Sequence, residues 1–261
     1  MTIFRSLSLL FAFVAIPLML PAVHWVKSVS TACFMGPEVY QMRRVKEGGS
    51  KQSGVLCGVR FGCDRIRRLS VYWGCDCLWA KGSLTGKVGK DKLKSTVTDV
   101  NVEARLGYTL QSKYWRCVSF TPYAGIGYFL EKNDYRSPSP LPIHFKNNFY
   151  YVPVGFLSEI FITPRLSVGM NVKVRILLEG SQEVSHDPEH DAWTQHYEEK
   201  LQYRVEWPLT YFMNWKCYTM GFSLVPFIEY RHYGRRANFP FDFFDTQLNL
   251  YGATLKWLCL F

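Results

Sequence analysis

Three of the six histidines fall in one short segment, SHDPEHDAWTQH, where His186, His190 and His196 alternate with Asp187, Glu189 and Asp191. Imidazole and carboxylate at this spacing are the chemistry of a zinc site. Such a site needs its ligands held on one scaffold, and this segment offers no helical face to hold them. A solvated acidic loop would carry the same residues. Ser185 stands beside His186, a nucleophile next to a base. Adjacent residues of a strand point to opposite faces, so the pair is expected to diverge.

The second reactive set is the eight cysteines. Cys75 and Cys77 are two apart, so on a strand they point the same way and make a poor mutual disulfide. No CxxC pair is present. Whether any cysteine is oxidised depends on the compartment. The chain opens on MTIFR, followed by an uncharged apolar run from Ser6 to Val23. A basic start and an apolar stretch form a secretory signal peptide, expected over residues 1–32, with cleavage after Ala22 or after Ala32. An uncleaved anchor is the competing reading, but Pro17 and Pro21 interrupt the run. Acylation of Cys33 is opposed by Ser30, where a leucine is normally expected. Residues 33–261 then form the mature domain, in an oxidising space.

The formal charge of +10 could serve nucleic acid or an anionic membrane surface. The chain shows no Lys/Arg run, zinc-ribbon spacing or RNA-binding strand signature, so no nucleic-acid partner is expected. Downstream of Val23 there is no second apolar run long enough for a spanning helix.

The elements that must position these residues are strands. In VTDVNVEARLGYTL, Val100, Val102, Ala104, Leu106, Tyr108 and Leu110 share one face, and Asn101, Glu103, Arg105, Gly107 and Thr109 share the other. The same alternation runs through LSVGMNVKVRILL, LQYRVEWPLTYFM, YTMGFSLVPFIEYR and the terminal YGATLKWLCLF. Ten strands are read at about 37–46, 54–62, 69–81, 97–111, 117–130, 148–161, 166–179, 200–214, 217–231 and 247–261. Several exceed the ~5–6 residues usual in soluble sheets and reach the ~9–11 needed to cross a bilayer. Tyrosines at strand ends resemble an interfacial girdle. Short and long connections alternate along the chain, the pattern of periplasmic turns and external loops.

These features predict an all-β fold, a closed antiparallel transmembrane barrel of about ten strands. An eight-stranded variant, lacking two amino-terminal strands, is the alternative. No open edge is tolerated in lipid, so the last strand must pair with the first. The polar faces then line the interior with Arg60, Asp76, Glu103, Arg105, Glu159, Lys173, Arg175, Arg204, Glu206, Glu229, Arg231 and Lys256. Seven of these are basic and five acidic. Salt-bridging should plug so narrow a lumen. Strand parity puts Cys33 ahead of the barrel and Cys63, Cys117 and Cys217 in periplasmic turns. It puts Cys259 at the same rim and leaves Cys57, Cys75 and Cys77 on the outer face. The rim cysteines act either as small apolar residues or as crosslinks to neighbouring envelope proteins.

The sequence thus resembles Gram-negative outer-membrane β-barrel proteins. YGATLKWLCLF is similar to the terminal signal of that family, with Tyr251, Leu255, Trp257 and Phe261 in the alternating positions. TPYAGIGYFLEKN is similar to a Pro-Tyr-x-Gly-x-Gly strand of small outer-membrane-protein-A-like and opacity-like barrels. GVLCGVRFGCDRIRRLSVYWGCDCLWAKG resembles the amino-terminal half of a chlamydial barrel. The resemblance implies an outer-membrane location and lipid and lipopolysaccharide as surroundings. It also implies the outer-membrane insertion machinery as a partner, and disulfide-linked envelope proteins if the rim thiols crosslink. Ten-stranded outer-membrane proteases carry catalytic Asp and His at the barrel mouth. No matching pairs can be placed on different strands here, so those roles are not transferred. The expectation is a non-enzymatic envelope barrel with a structural or surface role and no cofactor. A narrow anion-preferring channel and a barrel-mouth enzyme remain alternatives.

Overall fold

Residues 31–67, 69–111, 117–140, 142–186, 191–196, 201–215, 218–234 and 245–261 are described by a computed structural model. All regular structure in them is β-strand: β1 (Ala32–Lys46), β2 (Lys51–Arg65), β3 (Ser70–Val88), β4 (Asp91–Gln111), β5 (Val118–Arg136), β6 (His144–Thr163), β7 (Leu166–Ser185), β8 (Trp193–His196), β9 (Leu201–Glu206), β10 (Leu209–Trp215), β11 (Tyr218–Tyr233) and β12 (Thr246–Leu260). Each of β1 to β7 pairs antiparallel with its successor. The pieces β8, β9 and β10 all lie against β7, and β9 and β10 also lie against β11. They form one interrupted barrel strand. With β12 paired to both β11 and β1, ten strands close on themselves.

The break between β9 and β10 has a local cause. Pro208 has no N–H to give to a ladder. Trp207 N–H donates to Pro226 O at 3.0 Å instead, and Pro208 O accepts from Gly169 N at 2.8 Å. A second irregularity is a bulge on β7 at Leu178, opposite Tyr150 and Tyr151. The extra residue reverses the inside–outside parity. Leu177 is buried before it and Gly180 after it, while Leu178 and Glu179 both face out.

The alternation written in the sequence sorts cleanly between the two surfaces. Leu106 (63% exposed), Ile126 (70%) and Trp79 (51%) stand on the outer wall among many other large apolar side chains. A continuous apolar belt of this extent would aggregate in water and is satisfied by hydrocarbon. The charged and polar residues of the opposite parity are buried inside. Exposed Tyr150, Tyr203 and Tyr251 lie toward the long-loop end and Tyr108 and Tyr211 toward the short-turn end, a girdle at each interface.

Two expectations need correction. The segments read as long loops are partly strand. β3 and β4 run for 19 and 21 residues and turn only at Gly89 and Lys90. Above the belt their outer face is lysine and threonine, so the apolar alternation ends although the backbone ladder continues. Cys33 is also not ahead of the barrel, and Cys63 is not in a turn. Both lie within strands, in register with each other on β1 and β2. The strand 37–46, the weakest in the sequence, begins earlier, at Ala32, and supplies the partner for β12. Residues 1–30 of the signal-peptide reading lie outside the described residues; Thr31 and Ala32 lie within them, and Ala32 opens β1.

Candidate functional site

The lumen is filled at mid-height by a connected set of charges. Arg60 on β2 bonds Glu38 on β1 and, at 2.6 Å, Asp76 on β3. Arg204 on β9 reaches Glu206 at 2.6 Å, Glu229 on β11 at 2.8 Å and Glu38 at 3.5 Å. Glu229 also accepts from Arg175 at 2.6 Å and from Arg231 at 2.5 Å, and Arg231 continues to Asp99 at 3.0 Å. Lys173 on β7 holds Glu103 at 2.9 Å. Chains of alternating sign therefore span the barrel from wall to wall. Glu38, Asp99, Glu103, Glu206 and Glu229 are each shared by two or more donors, as burial of so many ions demands.

Aromatic rings fill the space between the charges. The Arg204 guanidinium lies 3.6 Å from the Phe227 ring centre and that of Arg231 4.3 Å from Phe129. Such contacts let a buried cation share an apolar wall. Toward the long-loop end Phe129, Phe149 and Tyr233 stack in sequence, with centroids 5.7 and 4.7 Å apart. Arg44 and Glu131 pair above them. This apolar layer was not expected from strand faces read as simply polar.

Of the twelve charges singled out in the sequence, ten are buried in this interior. Glu159 and Lys256 are half-buried and line a cavity of about 130 Å³ toward the short-turn end. Small side chains, Ser158, Gly169, Thr210 and Ser223, leave this space unfilled. Lys256 Nζ sits 4.2 Å from the Phe34 ring centre, and Glu159 accepts from Ser167 Oγ at 2.6 Å. Glu38, Arg44, Asp99 and Glu131 are buried too and were missed. Simple parity could have found them: Asp99 is two residues before Asn101, and Glu131 two after Phe129. With them counted, buried Lys and Arg among the described residues number seven (Arg44, Arg60, Arg105, Lys173, Arg175, Arg204, Arg231). Buried Asp and Glu also number seven (Glu38, Asp76, Asp99, Glu103, Glu131, Glu206, Glu229). Among the described residues the buried interior carries no basic excess.

At the long-loop end, His186 Nδ1 lies 3.3 Å from Ser185 Oγ. The two were expected on opposite sides of a strand. β7 ends at Ser185, and the positive φ of His186 (62°) turns its ring back. His186 stacks on His144 at 4.3 Å, and His144 Nδ1 meets Asp134 at 3.1 Å. The Asp134 carboxylate therefore orients the second imidazole and not the one beside the serine, so Ser185, His186, His144 and Asp134 do not form a Ser–His–carboxylate relay. His196 sits on β8 opposite Ser181. His190 lies outside the described residues. Among the described residues no group of three or more His, Cys, Asp or Glu is arranged to hold a metal ion.

Cys33 and Cys63 form a disulfide on the outer face of the short-turn rim. Cys259 is opposite Cys33 on β12, and Cys75 opposite Cys63 on β3. Cys57, Cys75, Cys77, Cys117 and Cys259 are free. Cys117 lies just before β5, and Cys217 is outside the described residues. Tyr251, Leu255, Trp257 and Phe261 all point outward along β12 and its end.

No protein-family model matches the chain, and no curated protein does. Among solved structures, the outer-membrane protease OmpT from Escherichia coli aligns with a TM-score of 0.59 at 10% identity, over 90% of this chain and 97% of that one. The translocator domain of the autotransporter NalP from Neisseria meningitidis aligns at 0.48 and 6% identity, over 92% and 91%. At such identity the OmpT match shows a shared fold. An outer-membrane barrel fold with a lipid-facing belt and a closed ladder places the chain in the outer membrane of a Gram-negative bacterium.

Proposed function

We propose that this chain is a structural and surface barrel of the outer membrane: a sealed wall that carries external hairpins and does not conduct. The observation that carries this reading is the lumen, crossed by ion pairs joining β1, β2, β3, β4, β7, β9 and β11 and capped by stacked rings. An ion entering it would have to break buried pairs and pass the stacked, buried rings of Phe149 and Tyr233. The equal numbers of buried positive and negative residues give no reason for anion preference.

The hairpins support a surface role. Lys51, Lys87 and Lys92 stand directly opposite one another across β2, β3 and β4, all exposed. Like charges placed this way repel unless counter-charges intervene. They lie beyond the apolar belt, where the phosphates of lipopolysaccharide would supply those charges. Planar-bilayer recordings on refolded protein test the sealed lumen. The expected trace is flat at ordinary voltages. Steady single-channel steps from the unaltered protein would overturn the reading in favour of a channel.

A further inference from the structure

Register places four cysteines in one row across four neighbouring strands: Cys259 on β12, Cys33 on β1, Cys63 on β2 and Cys75 on β3. All four belong to the outward parity, and the middle two are joined. The backbone explains why the bond lies there. Phe261 N donates to Thr31 O at 2.9 Å, and Thr31 N donates to Phe261 O at 3.4 Å. Thr31 and Phe261 are thus a hydrogen-bonded pair. Alternation along the ladder makes Cys33 and Cys259, two residues on, another such pair. Cys33 directs its N–H and C=O toward β12, so its pairing with Cys63 is of the other type, in which side chains approach more closely. The Cα atoms of Cys33 and Cys63 are 4.1 Å apart. A hydrogen-bonded pair has Cα atoms about 5.5 Å apart, still inside the range that a disulfide spans.

We propose that Cys33–Cys259 is a second disulfide site of this barrel, reached from Cys33–Cys63 by thiol–disulfide exchange along the row. The Cys259 thiol loses its proton to solvent, and its thiolate attacks Cys33 Sγ. The Cys259–Cys33 bond forms and the Cys33–Cys63 bond breaks. The electron pair leaves on Cys63 Sγ, which takes up a proton. No oxidant is consumed. The row supplies the approach such a displacement needs, because Cys259 lies beyond Cys33 along the direction from Cys63 to Cys33. All three sit close to strand ends at the rim, where water and thiols reach them.

The consequence is topological. Every adjacent pair of barrel strands is joined by a connecting segment except β12 and β1, where the sheet closes. The disulfide on β1 and β2 spans 30 residues of a hairpin already tied by its turn. Moved one strand over, the same bond covalently closes the seam and encircles nearly the whole barrel.

The test uses the full chain folded in detergent. Wild type is equilibrated with a trace of reduced glutathione at about pH 8.5, near the thiol pKa, then acid-quenched, alkylated and mapped by mass spectrometry. A Cys33–Cys259 peptide is expected beside the Cys33–Cys63 peptide. Under oxidised glutathione, Cys63→Ser should convert to a species that runs faster on boiled, non-reducing gels, because its denatured chain is a closed ring. Dithiothreitol should return it to the linear position, and Cys63→Ser/Cys259→Ser should not form it. Alkylation of both Cys33 and Cys259 in a folded Cys63→Ser barrel would overturn the proposal. If that variant does not fold, wild type decides: Cys33–Cys63 as the sole Cys33 crosslink after equilibration overturns it equally.

Discussion

Glu229 shows how much can depend on one buried carboxylate. It accepts from Arg175, Arg204 and Arg231, which come from three strands. Replacing it with glutamine keeps the volume but leaves three buried guanidinium groups short of counter-charge. Breaking one side of a buried ion pair costs about 3–5 kcal/mol. Glu229→Gln is therefore expected to lower stability by that order, read as a lower urea concentration at which the folded, fast-migrating band disappears from unboiled gels. An unchanged midpoint would mean that water already solvates these groups. The charge at Glu229 was legible in the sequence as an inward residue. Its three partners were not assignable, because parity gives the face of a side chain but not its height in the barrel.

At the scale of the element, the Pro-Tyr-x-Gly-x-Gly stretch of β5 has a specific steric reason. A Cβ on Gly127 would come within 2.2 Å of the Tyr151 ring. That ring is held by hydrogen bonds to Asn101 at 2.9 Å and Glu103 at 3.0 Å, so it cannot swing aside freely. Gly127→Ala should destabilise the barrel by about 1–3 kcal/mol, the usual penalty of overpacking, read from the same gel titration. No change would show that Tyr151 relocates at little cost. The glycines were visible in the sequence, and close interior packing was the reason given for them. The neighbour on β6 that demands Gly127 emerged only from the register. The strands themselves outlasted their sequence signal. β3 and β4 continue past Lys81 and Thr98 because the ladder needs only backbone groups, while the apolar pattern needs lipid on one side.

At the scale of the whole molecule, the decisive feature is the seam. Phe261 adds two backbone hydrogen bonds to Thr31 at the very end of β12, and its ring is exposed on the outer wall (68%). Deleting Phe261 removes those bonds and the last lipid-facing ring. Cells expressing the truncated chain should accumulate at least several-fold less heat-modifiable protein in their outer-membrane fraction. Normal accumulation would show that closure is fixed elsewhere along β1 and β12.

The amino-acid sequence by itself determined the face of nearly every strand residue. The alternation of apolar and polar side chains is a local property, and lipid outside with ions inside is the arrangement that satisfies both. It also favoured ten strands over eight, through the alternation of connections, and closure of β12 on β1 decided for ten. The tertiary structure alone decided what meets what: Glu38 with Arg60, His144 with His186, and four cysteines in one row. Those contacts depend on register, a sum over hydrogen-bonded rungs, register shifts at Leu178 and Ile162 and a break at Pro208. No window of sequence contains that sum, because each rung joins residues distant along the chain.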